Sequence, residues 1–429
     1  MWITAMANPR KIAVTALLKI YRDSAYSNLA LGSILKEYEL SVADKALVSA
    51  LVYGVLDRCK ALDYVLSRFM KTPIEKTAPF TLNVLRTALY QIMFMDKIPE
   101  SAAVNEAVKL VKNSREARNA GFVNGVLRSI LRSDTLLPEG FSAEALSVRF
   151  SCPEWMVNSF LGDYGCDTAV ALLEESLKPA PFTVRVNTLK TDTKALKAEL
   201  SGLGITCKSG ENEASLVIEK GMDIADNRFY KEGFFYAQDL ASQKAVAALS
   251  PKPGERMLDM CAAPGGKSFT AAMLMENRGE IIACDLYEAR VGLIAQSAKR
   301  LGLRIIKPAV NDATVFNEAL GEFDCVLCDV PCSGLGVIRR KPEIKYKGEQ
   351  DFSELADIQY RILCNAVRYL KPGGRILYST CTLRKAENEL IAERFLKEHG
   401  EFCKVNEKTL MPHIDKTDGF YYALFQLKN

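Results

Sequence analysis

The spacing of apolar residues changes character along the chain, and that change constrains the fold class most. Through residues 1–135 apolar side chains recur at helical spacing, as at Ile12, Ala16, Leu17 and Ile20, then at Leu47, Leu51, Tyr53 and Val55. Pro73, Pro79 and Pro99 punctuate these segments and mark turns or helix starts. Leu136-Leu-Pro-Glu-Gly140 reads as a linker, and residues 141–180 as further helices. At Phe182–Asn187 the period becomes two, which predicts a strand. A helix over Lys194–Leu203 closed by Gly204 and a strand at Leu216–Glu219 complete a small α+β unit. From Phe235 onward short apolar strands alternate with longer helical stretches, the strands falling at Arg256–Met260, Glu280–Asp285, Cys325–Asp329 and Arg375–Ser379. That alternation predicts a parallel, doubly wound sheet with helices on both faces. The expected organisation is multidomain: an all-α domain over residues 1–138, a helical linker with the α+β unit over 139–235, and an α/β domain of Rossmann-like type over 236–429.

Charge and cysteine usage narrow the function classes. Residues 1–135 carry 19 Lys and Arg against 12 Asp and Glu, whereas the whole chain has 56 against 52. A basic first domain on a near-neutral body suits an accessory module that binds nucleic acid, or a solubilising helical surface. Arg10, Lys11, Lys19 and Arg22 break up the start of the chain, where an amphipathic pattern replaces any signal-peptide form. The strongly apolar run Ala46–Leu56 falls short of the roughly 20 residues that span a bilayer. A cytoplasmic chain without membrane contact is expected, and nothing suggests more than a monomer. The 12 cysteines are then expected to be reduced. Cys325-x-x-Cys328-x-x-x-Cys332 has the look of a metal set, but the first two lie within an apolar strand and no second pair follows, so no metal is expected. The two histidines, His399 and His413, lie far from the glycine-rich motifs.

Met257-Leu-Asp-Met-Cys-Ala-Ala-Pro-Gly-Gly-Lys-Ser268 is a strand running through a small-residue turn into a helix. Ligands of open α/β sheets bind beyond the C-terminal strand ends, where the helix offers free N–H groups. The second strand ends at Asp285, placed to accept hydrogen bonds from ribose hydroxyls. Gly-x-Gly-x-x-Gly is absent, which disfavours a dinucleotide. A phosphate-binding P-loop needs glycine where this chain has Cys261. S-adenosylmethionine, with a ribose and a methionine tail but no phosphates, fits better.

Two cysteines sit just past strands at that same sheet edge. Asp329-Val-Pro-Cys-Ser-Gly-Leu-Gly336 follows the strand Cys325–Asp329, and Tyr378-Ser-Thr-Cys-Thr382 follows the strand Arg375–Ser379. Carbon 5 of cytosine is a poor nucleophile, but a thiolate added at carbon 6 makes it enamine-like and able to attack a sulfonium methyl. A protonated carboxyl at Asp329 would hydrogen-bond the base, and a second acid/base group nearby would assist elimination. On the residues alone, either Cys381 or Cys332 can be the attacker. Val337–Lys347 carries Arg339, Arg340, Lys341, Lys345 and Lys347, with Tyr346 placed to stack. It reads as a set of phosphate contacts beside the cleft or as a solvated charged loop.

Taken together, Cys-Ala-Ala-Pro-Gly-Gly-Lys (261–267), Asp-Val-Pro-Cys-Ser-Gly (329–334), Val-Ile-Arg-Arg-Lys-Pro-Glu-Ile-Lys (337–345), Ser-Thr-Cys-Thr (379–382) and Asp-Gly-Phe-Tyr (418–421) resemble the Sun/Nop family of RNA cytosine-5 methyltransferases. Phe122-Val-Asn-Gly-Val-Leu-Arg128 is similar to the antitermination factor NusB, an all-helical RNA-binding fold. A NusB-like domain joined to this catalytic domain resembles the bacterial members that act on 16S ribosomal RNA. The resemblance implies a specific roster. Cys261, Ala262, Ala263, Pro264, Gly265, Gly266 and Lys267 would hold the methionine part and ribose of S-adenosylmethionine. Asp285 would bind the ribose, Asp312 would lie near the adenine, and Asp329 would face both cofactor and base. Cys381 would be the nucleophile, Cys332 would help release product, and Lys267 would organise the site. Asp-Val-Pro-Cys-Ser replaces the common Asp-Ala-Pro-Cys-Ser, a mild change. The target cytosine must be unstacked to react. Competing readings are the same chemistry on tRNA or 23S RNA, a silent RNA-binding assembly factor, and a P-loop ATPase.

Overall fold

A computed structural model describes residues 8–23, 27–133, 137–220, 224 and 226–428. Residues 1–7, and Leu136 of the expected linker, lie outside that set. The described chain forms two compact units. One runs to Leu177 and also takes in Ile338–Gly348, and the other holds Lys178–Val337 and Glu349 onward.

The first unit is helical. Its helices are α1 (Pro9–Asp23), α2 (Ser27–Glu37), α3 (Val42–Phe69), α4 (Pro79–Phe94), α5 (Glu100–Lys112), α6 (Ala120–Ile130), α7 (Ala143–Arg149), α8 (Glu154–Tyr164) and α9 (Cys166–Glu175). The expected stripe of Ile12, Ala16, Leu17 and Ile20 is buried in the core of this unit beside Leu51 and Val55. Pro79 opens α4 and Pro99 precedes α5, where a missing N–H costs nothing. Ser41 caps α3 by accepting the Asp44 N–H at 3.1 Å.

Residues 338–348 belong to this unit, and two of the five basic residues in that stretch have buried side chains and are not solvated. Lys345 is buried, its ammonium 3.7 Å from an Asp57 carboxylate oxygen and donating to the Asp57 carbonyl at 3.3 Å. The Tyr346 hydroxyl donates to the Leu56 carbonyl at 2.6 Å, and its ring meets Tyr21 edge-on. Arg339 is almost fully covered, 3.9 Å from Glu175. These basic residues fasten the segment to α3 and α9, and Lys341 and Lys347 remain exposed.

The second unit opens with β1 (Phe182–Val186), α10 (Thr193–Gly202), β2 (Thr206–Ser209), β3 (Ser215–Lys220), α11 (Arg228–Lys231) and β4 (Phe235–Ala237). The four strands make an antiparallel sheet in the order β2-β3-β1-β4. The main sheet follows through α12 (Leu240–Leu249), β5 (Arg256–Asp259), α13 (Gly266–Leu274), β6 (Glu280–Asp285), α14 (Glu288–Leu301), β7 (Ile306–Val310), β8 (Phe323–Asp329), α15 (Leu355–Val367), β9 (Leu370–Thr380), α16 (Glu389–Glu398), β10 (Phe402–Leu410), α17 (Pro412–Asp415) and β11 (Phe420–Leu427). Its seven strands run in the order β10-β11-β9-β8-β5-β6-β7. Strands β5 to β9 are parallel, so their C-terminal ends share one edge. The doubly wound expectation holds for these five. The departure is β11, which pairs antiparallel with both β9 and β10. Among the described residues no helix is long and apolar enough to cross a membrane.

Removing the Lys345 cation would leave the half-buried Asp57 carboxylate without its partner. Burial already pushes Asp57 up to about 6, against the lowering influence of Lys345. Lys345→Ala should therefore cost about 2–3 kcal/mol in urea unfolding. An unchanged midpoint would show that the segment is not held by this pair.

Candidate active site at the parallel sheet edge

The turn after β5 is built by glycine. Gly265 sits at φ +105°, which side-chain-bearing residues rarely adopt, and a Cβ there would lie 2.3 Å from the Phe269 ring. From this turn α13 starts at Gly266, so the N–H groups of its first turn have no partner within the helix. The Gly266 carbonyl accepts from Gln238 Nε2 at 3.0 Å, Tyr236 OH at 3.2 Å and Thr270 Oγ1 at 3.1 Å. The end of β4 thus clamps the first turn of α13, a role no sequence pattern announced.

Asp285, at the end of β6, is buried and accepts the Tyr287 N–H at 3.2 Å and Arg290 Nη1 at 3.1 Å. Arg290 also donates to the Ala263 carbonyl at 3.0 Å, tying the carboxylate to the 261–267 turn. Two parallel strand ends, a buried carboxylate and a helix start with free N–H groups suit a ligand carrying ribose hydroxyls and a carboxylate tail. Asp312 lies past β7 and is exposed. Its Oδ1 accepts the Thr314 N–H at 2.8 Å and hydroxyl at 2.7 Å, and these bonds hold its pKa low. Cys261 is partly buried, and burial pushes its thiol well up.

The expected catalytic residues meet one another. Lys267 Nζ lies 2.6 Å from Asp329 Oδ2, and Ser379 donates to Asp329 Oδ1 at 2.9 Å. Burial pulls the Lys267 ammonium down, but the charge and hydrogen bond of Asp329 prevail and raise it. Both Asp329 oxygens are thus engaged, Oδ2 by the Lys267 ammonium and Oδ1 by the Ser379 hydroxyl. The ammonium also lies 5.1 Å from the centre of the Phe420 ring.

Cys332 Sγ and Cys381 Sγ are 3.3 Å apart. The Cys332 thiol is pushed well above its ordinary value, first by its hydrogen bond to Cys381, then by burial and by the charges of Cys381, Glu387 and Asp329. Cys325 and Cys328 are buried within β8, packing residues as their setting suggested. Among the described residues no three metal-ligating side chains gather.

Two glycines let the loops close. The Gly336 N–H donates to the Cys381 carbonyl at 3.0 Å, and the Gly419 N–H donates to the Gly336 carbonyl at 2.9 Å. A Cβ at Gly336 would lie 1.9 Å from the Gly419 carbonyl oxygen and 2.8 Å from that of Cys381. The Asp-Gly-Phe-Tyr motif therefore packs directly against both cysteine loops. Asp259, also missed from sequence, ends β5 fully buried and accepts the Ser268 hydroxyl at 2.6 Å.

Residues 246–426 match the 16S rRNA methyltransferase RsmB/F family, 7–132 the NusB family, and 152–225 the ferredoxin-like domain of RsmF/B-like methyltransferases. A probable ribosomal RNA small subunit methyltransferase B of Bacillus subtilis is 39% identical, covering 98% of each chain. The chain belongs to the RsmB/F methyltransferase family. Its relatives include the ribosomal RNA small subunit methyltransferase B of Vibrio cholerae, 32% identical over 97% of each chain. Among solved structures, the crystal structure of PH0851 superposes with a TM-score of 0.83 at 28% identity, covering 98% of this chain and 99% of that one. The family relation and the fold agree on an N-terminal NusB domain, a ferredoxin-like unit and a Rossmann-like methyltransferase domain.

Gly336→Ala should lower methylation at least about tenfold by displacing the Cys381 carbonyl, since near-attack geometry is lost with small shifts. Gly125→Ala, with nothing within 4 Å of the new Cβ, is the control and should be neutral. Equal activity of the two variants would mean that the loops absorb a methyl group.

Burial raises Asp259 from 3.8 to about 7, against the lowering hydrogen bond from Ser268. A raised carboxyl favours folding while it keeps its proton. Its contribution is full below the unfolded value and is lost as pH rises through the folded one. Between about pH 4 and 7, wild type should therefore lose stability relative to Asp259→Asn, read as diverging urea midpoints. Parallel midpoints would place the proton elsewhere.

Proposed function

We propose that this methyltransferase uses S-adenosylmethionine to methylate carbon 5 of a cytosine in 16S ribosomal RNA, through a covalent bond between Cys381 and carbon 6. The observation that carries this reading is the 3.3 Å pair of cysteines beside the Lys267–Asp329 pair, at the edge that also carries the 261–267 turn. The relatives' names, ribosomal RNA small subunit methyltransferase B, supply the substrate class.

When bound, the cofactor supplies an electrophilic methyl group. The turn 261–267, Asp285 and Asp312 would hold it, with Asp329 facing both it and the base. Cys381 as a thiolate adds to carbon 6 of the unstacked cytosine, which pushes electron density to carbon 5. Lys267, through Asp329, keeps a proton next to the ring and steadies the charge that develops on addition. Carbon 5 takes the methyl. The Cys381–carbon 6 bond then breaks with its electron pair leaving on Cys381, Cys332 hands its proton to that sulfur and takes the carbon 5 proton in its place, and the C5–H electron pair restores the ring double bond. Cys332 is suited to the second half because it holds its proton and lies against the sulfur that must depart. Taking residues 1–138 as the RNA-binding domain, 139–235 as the positioning unit and 236–429 as the catalytic domain completes the reading.

One specific observation favours a second arrangement, because the two thiols are near neighbours and either could attack. Purified wild type, Cys381→Ala and Cys332→Ala should be incubated with 16S RNA and labelled S-adenosylmethionine, then resolved on a denaturing gel. Wild type should methylate cytosine, Cys381→Ala should neither methylate nor crosslink, and Cys332→Ala should accumulate a covalent protein–RNA adduct. An adduct on Cys381→Ala but not on Cys332→Ala would reverse the two roles. Absence of methyl transfer by wild type would sink the cytosine reading.

A further inference from the structure

The mechanism above leaves a buried carboxylate unused. Glu387 is 2% exposed and sits between β9 and α16. Its Oε2 accepts the Ser333 N–H at 2.9 Å and Gln359 Nε2 at 2.9 Å. Gln359 Nε2 also donates to the Pro331 carbonyl at 2.9 Å. Pro331 and Ser333 are the two neighbours of Cys332, so Glu387, with Gln359, grips both flanks of that cysteine.

The next residue treats the other cysteine in the same way. Asn388 is fully buried. Its Oδ1 accepts the Thr380 hydroxyl at 2.5 Å and its Nδ2 donates to the Thr382 carbonyl at 3.0 Å. Thr380 and Thr382 are the two neighbours of Cys381. The Ser333 and Thr382 hydroxyls lie 2.7 Å apart and join the two grips. The Tyr378 hydroxyl, donating at 2.6 Å to the Glu387 carbonyl, anchors the pair to β9.

We propose that Glu387 and Asn388 are positioning residues, a clasp in which each of two adjacent side chains fixes one cysteine loop and so sets the separation of Cys332 from Cys381. A buried carboxylate is costly to desolvate unless hydrogen bonds and charge partners compensate it. Glu387 meets that cost through the Ser333 N–H, the Gln359 amide and the Arg384 guanidinium 3.7 Å from Oε1, and the first two of these contacts hold the Cys332 loop. Two bonds also cross directly between the loops, Gly336 N–H to the Cys381 carbonyl and the Ser333–Thr382 hydroxyl pair, and adjacent residues 387 and 388 hold both loops from one further point.

This inference rests on the covalent reading for its catalytic consequence, but its geometric core is tested without RNA. Diamide takes one hydrogen from each of two thiols, leaving a disulfide and the corresponding hydrazine. Wild type should form the Cys332–Cys381 disulfide readily, followed by mass mapping of the linked peptides. Glu387→Ala and Asn388→Ala should each slow that linkage at least about tenfold, because encounter depends on held geometry. Glu387→Gln keeps an oxygen for the Ser333 N–H and should stay within about threefold of wild type. If the alanine variants melt cooperatively near wild type yet link at the wild-type rate, the clasp is wrong. If Glu387→Ala does not fold, Asn388→Ser carries the same expectation and the same refutation.

The catalytic consequence is an asymmetry. With 16S RNA and S-adenosylmethionine, Glu387→Ala should accumulate adduct as Cys332→Ala does, while Asn388→Ala should lower kcat without adduct and with little change in KM. Identical profiles for the two variants would mean general loosening, not positioning. A protein in which the disulfide rates behave as expected but no variant forms an adduct would retain the clasp and lose the covalent reading.

Discussion

The register between β8 and β9 carries the whole site. Asp329 stands opposite Ser379, in parallel pairing. Cys332 follows three residues after the one, and Cys381 two residues after the other. Parallel strands spaced about 4.8 Å apart deliver both thiols to one place, provided that the loops turn inward. A one-residue slip would send Asp329 to the other face of the sheet, and the Lys267 contact would be lost with it. Hydrogen bonding along a buried strand pair is therefore the interaction on which the chemistry depends.

The inward turn is secured by polar groups inside an apolar setting. Ser333, Thr380, Thr382, Gln359, Glu387 and Asn388 are all buried between the sheet and its covering helices. All of them make hydrogen bonds there, Glu387 through Oε2 while its Oε1 faces Arg384 at 3.7 Å, and the resulting network is specific in a way that apolar packing is not. The Lys267–Asp329 pair works under the same constraint but with an exposed flank, its carboxylate a quarter accessible. The site combines a stiff, dry floor with a charged pair that a base can reach.

Much of the architecture was legible because periodicity is local. The strand Glu280–Asp285 and the turn 261–267 read directly from the chain, since a short apolar run ending in small residues has few other uses. The C-terminal hairpin did not. Most of β10 between Phe402 and Leu410 faces outward and carries charged residues, while β11 is buried on both faces and lacks alternation. Neither shows a period of two, and their antiparallel pairing is decided by tertiary contact. β4, three residues long, is below the reach of any window. At the proposed site, Cys332, Cys381 and Asp329 drew attention because reactive residues in small-residue loops stand out, whereas Lys267 came from the family resemblance, and the fold brings the four together. Glu387 and Asn388 drew none, because in Lys-Ala-Glu-Asn-Glu they look like solvated helix-start residues, and only the fold buries them. Lys345 and Arg339 in the basic run escaped for the opposite reason: charge suggested a surface, whereas these two are nearly covered and ion-paired.

Segment 338–348 has a consequence for how the chain can be divided. The polypeptide passes from the helical unit to the other after Leu177, returns at Ile338 and leaves again after Gly348. The two units are thus stitched by three covalent crossings instead of joined by one linker. A gene fragment starting after Leu177 would carry an orphaned strip whose Ile338 and Ile344, buried in the whole protein, would have lost their seat. The catalytic half is consequently not a portable module, and shuffling of the helical domain between proteins would have to carry this small insert with it.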